Sequence, residues 1–164
     1  MAKLLSLDLS TAVGWAKFAE RGERPRFGTL LLVGGDLPQK LGQFDVWLED
    51  QYAVDPFEAL AWERPLITPT DTVPLLELLY GLVGICHAFV GRRRILDKIF
   101  MPWREIDVPT AKLALTGNAK ADKDAMLFAA RRQLNWEVST HHEADAGAVG
   151  GVAYEQIWPK RVTA

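Results

Sequence analysis

Short apolar stretches with strand-like alternation fill the first third of the chain, and helical spacing takes over later. Lys3 to Leu9 reads as a strand, and its nearly continuous apolar centre is the pattern of a strand covered on both faces. Val13 to Ala19 and Phe27 to Val33 read as two more strands, separated by the turn-prone Arg21-Gly22-Glu23-Arg24-Pro25. Three strands joined by short turns predict an antiparallel meander. Gly34-Gly35-Asp36 breaks the pattern, and Leu37 to Gln51 carries Leu41, Phe44, Trp47 and Leu48 at helical spacing. Glu58 to Glu63 is a short strand closed by Pro65.

Thr70-Asp71-Thr72 can cap a helix beginning near Val73, with Pro74 tolerated in its first turn. That helix is expected to run to about Val90, with Gly91 ending it. It is apolar around most of its circumference, so it must be covered on more than one side. One cover can be its own sheet and the other a second subunit. Its greasiest stretch, Leu75 to Val90, is short for a bilayer span of ~20 residues and carries Glu77 and His87, so a buried or interface helix is expected and no membrane. Trp103 to Val108 reads as the last strand. Pro109-Thr110 opens a helix, Lys120 to Leu134 is another, and His142 to Trp158 the final one. The order β-β-β-α-β-α-β-α-α-α predicts an α/β fold: a mixed five-stranded sheet, antiparallel meander plus parallel strands, flanked by helices on both faces.

The 164 residues favour one domain spanning 1–164. With 49% hydrophobic and 24% charged residues, the composition excludes a disordered tail, a collagen-like repeat or a disulfide scaffold. The lone Cys86 cannot bridge internally and points to a reducing compartment. Met1-Ala2-Lys3 leads to Asp8 too soon for a secretory signal, so a soluble, cytoplasmic protein is expected. Nineteen Lys and Arg against 21 Asp and Glu leave a net charge of -2, which argues mildly against a nucleic-acid binder. Local placement of charge matters more than the sum.

Three features carry candidate chemistry. Asp8 closes the apolar run of the first strand, where a carboxylate is costly unless exposed, paired or bound to a cation. Glu63 ends the strand through Trp62, and leaves the same sheet edge as Asp8 if the two strands are parallel neighbours. His142 and Asp145, three apart, share one face of a helix otherwise rich in Ala and Gly. Gly147, Gly150 and Gly151 each cost that helix about 1 kcal/mol relative to Ala, which close approach to the sheet would offset. Taken singly, Asp8 can be a turn-starting Asp, Glu63 a solvated strand exit and His142 a solvated helix start. Taken together, three carboxylates and one imidazole make an oxygen-rich site suited to a hard divalent cation such as Mg²⁺ or Mn²⁺ rather than zinc. Clustered carboxylates otherwise repel, and a pair of cations would relieve them and hold a phosphodiester's attacking and leaving oxygens. The expectation is that Asp8, Glu63 and Asp145 converge within coordination range of a shared pocket.

Four segments resemble the RuvC family of Holliday-junction resolvases, within the RNase H-like (retroviral-integrase-like) superfamily. They are Leu5-Ser6-Leu7-Asp8-Leu9-Ser10-Thr11-Ala12-Val13-Gly14-Trp15, Ala61-Trp62-Glu63-Arg64-Pro65, the run from Val108 through Thr116-Gly117-Asn118-Ala119 to Lys123, and His142-Glu143-Ala144-Asp145-Ala146. They span nearly the whole chain in the family's order. The resemblance implies an RNase H-like fold and a homodimer that cuts opposed strands of a four-way DNA junction symmetrically. It implies Asp8, Glu63, His142 and Asp145 as the metal-binding catalytic set, with two Mg²⁺ or Mn²⁺ ions in each site. His142 would ligate or carry a proton. It implies that Lys112 and Lys123 hold or neutralise the scissile phosphate, Lys123 as part of the catalytic group. Lys120 and the run Arg92-Arg93-Arg94 are further candidates for DNA contact, the latter equally readable as a solvated helix end. Arg131 and Arg132 read as solvated. Where some members of the family carry an aromatic wedge, this chain has Leu66-Ile67-Thr68. The helix from Val73 to Val90 is the expected dimer contact.

Other functions stay open on sequence grounds. A binder of branched nucleic acid that does not cut could keep the same fold. So could a nuclease for RNA–DNA hybrids or for branched DNA in general. Asp8-Leu9-Ser10-Thr11 also loosely matches an ATPase-like phosphate loop, though such folds need two domains.

Overall fold

The computed structural model describes residues 3–160. Five strands form one sheet in the order β3-β2-β1-β4-β5. These are β1 (Leu4–Asp8), β2 (Ala12–Phe18), β3 (Arg26–Leu31), β4 (Ala59–Glu63) and β5 (Trp103–Ile106). β1, β2 and β3 pair antiparallel, while β4 runs parallel to both β1 and β5. This is the expected mixed sheet, with β1 at its centre and buried along its whole length. Alternation sorts its residues between two cores. Leu5 and Leu7 join Leu60 and Trp62 under α1 (Leu37–Val54) and α2 (Val73–Leu96). Leu4 joins Ala59 and Ala61 under α3 (Val108–Thr116), α4 (Lys123–Phe128) and α5 (His141–Ile157). Helices therefore cover both faces.

Several boundaries differ from the sequence expectation, each for a local reason. The strand expected to reach Val108 stops at Ile106, because Asp107 caps α3: its Oδ1 accepts the Thr110 N–H at 2.8 Å. Gly91 does not end α2, which continues to Leu96. An interior glycine costs only about 1 kcal/mol of helix propensity. The turn beyond it is held by ion pairs of Arg92 and Arg93 to carboxylates on α1. The helix expected from Lys120 starts at Lys123, capped by Asp122. It passes into a π-helical stretch, Ala129–Gln133, and stops before Asn135, which sits at φ 54°.

At 24 residues α2 is longer than expected, and among the described residues it is the helix long and apolar enough to cross a bilayer. Only 33% of that apolar stretch is buried. Its inner face, with Leu78, Leu82, Cys86 and Phe89, is locked into the core against the sheet. Outward it shows Val73, Tyr80, Gly84, His87 and Ile95.

α5 presses on the sheet as its glycines suggested, though not at all three. A Cβ on Gly147 would stand 2.6 Å from the Trp136 ring, and one on Gly150 would stand 2.1 Å from Phe18 and 2.5 Å from Ser6 Oγ. Ser6 itself donates to the Ala146 carbonyl at 2.7 Å. Gly151 faces open space, so close approach does not account for it.

Candidate active site

Alternation and register fix where the acidic residues emerge. Asp8 shares the parity of Leu4 and Ser6, so it faces α5. Glu63 shares the parity of Ala59 and Ala61, and faces the same way. Leu7 pairs with Trp62 in the parallel ladder, which brings Asp8 and Glu63 level at the carboxyl ends of neighbouring strands. Above them lies the first turn of α5. It is capped by Thr140, whose Oγ1 accepts the Glu143 N–H at 3.2 Å. His142 Nδ1 donates to Asp8 Oδ2 at 2.7 Å. Gly14, beside Asp8 in β2, allows this approach, because a Cβ there would stand 2.1 Å from the His142 carbonyl oxygen.

Burial and like charge shape the electrostatics. Glu63 is pushed up to about 8, chiefly by burial, then by the charges of Asp8 and Asp145, with Lys112 opposing. Asp145 is pushed up to about 6 by burial and by Asp8, while Lys112, His142 and Lys123 pull it down. His142 is raised, first by its hydrogen bond to Asp8. The neighbouring His141, its ring 4.0 Å away, is lowered by burial and by the charges of His142 and Lys123.

The three carboxylates, His142, Lys112 and Lys123 therefore act on one another at one end of the sheet. Convergence within coordination range is not reached. Among the described residues, no three Asp, Glu, His or Cys side chains are arranged to hold a metal ion as they stand. The donor set nonetheless fits a hard divalent cation. It offers carboxylate oxygens and one imidazole, and burial, then neighbouring negative charge, raises two of its carboxyls, a penalty a bound cation would relieve.

No family model matches the chain, and no curated protein matches it significantly. Solved structures do. Thermus thermophilus RuvC in complex with a Holliday junction superposes with a TM-score of 0.72 at 17% identity, covering 92% of this chain and 91% of that one. The yeast mitochondrial Holliday junction resolvase Ydc2 gives 0.63 at 12% identity, over 93% of this chain and 79% of that one. The fold is that of the RuvC resolvases. The fowlpox virus resolvase, also bound to junction DNA, matches more loosely, at 0.51 and 11% identity over 93% of this chain and 99% of that one.

On this RuvC fold the remaining candidates fall in different places. Lys112 and Lys123 lie close enough to the acidic group to act on its charges, and Lys112 Nζ also donates to the Ala121 carbonyl at 2.7 Å. Lys120 is exposed on the turn before α4. Arg92, Arg93 and Arg94 are not a freely solvated helix end. α2 starts at the acidic end of the sheet and finishes where β5 begins, so these arginines lie at the opposite end. Arg92 binds Asp45 at 2.7 Å and Glu49 at 2.8 Å. Arg93, 13% exposed, binds Glu49 and Asp97 and stacks on Tyr52 and Phe89. Both are engaged in structural ties between α1 and α2, at the end of the sheet away from the acidic group. Arg94 is exposed over the Phe100 ring. Arg131, expected to be solvated, donates to the carbonyls of Val138 and Ser139 just before α5. Leu66 and Ile67, where an aromatic wedge was absent, are both exposed.

Gly14, Thr29 and Glu143 were missed as parts of this site. Glu143 had a legible signal, since Thr140-x-x-Glu143 spells a helix capping box. Gly14 lay inside the first resembling segment, and a lone glycine in a strand signals close backbone approach, while Thr29 had no signal, because a threonine inside a strand looks ordinary.

Proposed function

We propose that this chain is a divalent-metal-dependent endonuclease that resolves four-way DNA junctions. The observation that carries the proposal is the placement of Asp8, Glu63 and Asp145, from β1, β4 and α5, at one end of a RuvC-like sheet, near enough for their charges to act on one another, with His142 bonded to Asp8 at 2.7 Å. Asp8, Glu63, His142 and Asp145 would hold the ions, two Mg²⁺ or Mn²⁺ in each site. Such ions, when bound, supply a water acidic enough to attack phosphorus and positive charge for the departing 3′ oxygen. The chain's own part is to place groups. The bond from His142 to Asp8 orients both side chains and leaves His142 Nε2 to bind or to carry a proton. Lys123 and Lys112 balance negative charge on the scissile phosphate. Junction choice would come from shape and phosphate positions.

The partner that fits α2 is a second copy of the chain. From Tyr80 through Gly84, His87 and the half-buried Gly91 to Ile95, the residues on its outward side recur every three or four positions, the spacing of a helix seam, and the exposed Glu77 and Val73 continue the same line toward the start of the helix. Gly84 and Gly91 leave open space beyond their backbones, so another helix can come close. A two-fold contact along this seam would give one site for each of two opposed strands.

Incubation of a labelled four-way junction with Mg²⁺, with and without chelator, tests the reading. Paired nicks that vanish with chelator and in Asp8→Asn, while Asp8→Asn still shifts the junction in a gel, are expected. A shift without product strands in the wild type would instead make the protein a non-cleaving binder of branched DNA. Faster cutting of flaps or RNA–DNA hybrids would reassign the substrate.

A further inference from the structure

One cross-strand row runs beneath the start of α5. Asp8 pairs with Gly14, and Gly14 pairs with Thr29, so the three lie level on the same face of β1, β2 and β3. The first turn of α5 spans that row. His142 reaches Asp8 at one end, its backbone crosses Gly14 in the middle, and Glu143 reaches Thr29 at the other. Glu143 is 6% exposed, where a carboxylate is costly unless donors surround it. Its Oε2 accepts the Ser139 N–H at 2.6 Å, and its Oε1 accepts the Thr29 hydroxyl at 3.1 Å. Thr29 Oγ1 also lies 3.2 Å from Thr140 Oγ1. Thr140 alone caps α5, and the Ser139 bond ties Glu143 back to the residue before the cap. The link to Thr29 is surplus to that purpose and fixes the helix sideways on the sheet.

We propose that Thr29 and Glu143 form a positioning pair that sets His142 against Asp8. This rests on the junction-cleaving reading for its activity arm but not for its structural arm. With one end of the turn tied to β3, the other cannot swing off Asp8 without breaking a buried carboxylate's bonds. Arg131 holds the preceding carbonyls and limits motion from that side.

Thr29→Val tests this, because it removes the hydroxyl at nearly constant shape and leaves the helix cap intact. In metal-free protein, the His142 Nδ1 proton should give a downfield NMR resonance in the wild type that shifts or broadens away in Thr29→Val and returns in Thr29→Ser. Junction cleavage should show kcat lower by about 10-fold in Thr29→Val with junction affinity unchanged, as for other groups that orient ligands from behind. Glu143→Gln, which keeps the shape and one acceptor oxygen, should be intermediate, and it serves if the valine variant does not fold. A resonance and kcat in Thr29→Val equal to wild type would overturn the proposal. So would failure of Thr29→Ser to restore them, or a wild type without the resonance. If the wild type cuts no junction, the function falls, and the resonances alone still decide the positioning.

Discussion

Glu63 shows how much of this site's character lies in single side chains. Its carboxyl binds a proton more tightly in the folded chain, at about 8, than an ordinary carboxyl does unfolded. Between roughly pH 4 and pH 8 the folded state therefore holds more protons than the unfolded one, and stability falls as pH rises through that window. Asp145 adds to the slope up to about 6. Thermal melts of metal-free protein should give a Tm that declines from pH 5 to pH 8, and Glu63→Gln should flatten the decline and raise the Tm at pH 8. Mg²⁺ should restore stability to the wild type at pH 8 more than to the variant, because it is the ionised carboxyl that a cation rewards. Asp55, at the other end of β1, behaves in the opposite way. The Lys3 hydrogen bond, with Lys17 and Arg26, holds it down to about 2, so its contribution is complete above the ordinary carboxylate range and fades in acid.

At the scale of elements, the fit of α5 on the sheet decides whether these groups meet. Gly150→Ala would drive a methyl into Phe18 and Ser6, and should cost about 1–3 kcal/mol, read as a Tm lower by several degrees. Gly151→Ala, one residue on, meets nothing and should stabilise by up to about 1 kcal/mol through helix propensity. The contrast checks that close packing, not glycine as such, shapes this helix. Much of this layer was legible in the sequence. The continuous apolar run of β1 announced a central strand, the short turns announced the meander, and the strand-end carboxylates followed from parallel pairing. What escaped depended on partners distant in the chain. Gly91 looked like a helix stop because Asp45 and Glu49, which hold the next turn, lie on another helix. Arg92 and Arg93 looked available for DNA for the same reason. Thr29 could not be singled out, since nothing along β3 marks which threonine sits level with Asp8.

For the whole molecule, the sheet separates two tasks. The acidic group sits at one end, and the ion pairs joining α1 to α2 sit at the other. The exposed seam of α2 runs between them, so a second copy docked there, as proposed, would stand beside the acidic end. Gly84→Arg places a bulky charge in that seam where the monomer has open space. If the wild type pairs through this seam as proposed, sedimentation should show the variant as a folded monomer and the wild type as a dimer, with the variant's melting little changed at low concentration. Its junction products should shift from paired cuts to single nicks. A wild type that sediments as a monomer at micromolar concentration would count against the seam as a contact between copies.

The hydrogen bond from Ser6 to the Ala146 carbonyl joins parts of the chain 140 residues apart, and the same packing brings Asp145 within electrostatic reach of Asp8. Contacts of such long sequence separation form late and slowly. A polypeptide still emerging from the ribosome would thus carry Asp8 and Glu63 without the helix that completes them. If the chain cuts DNA as proposed, unfinished or truncated molecules would be harmless to nucleic acid, because cutting power would arrive only when synthesis has delivered α5 to its seat.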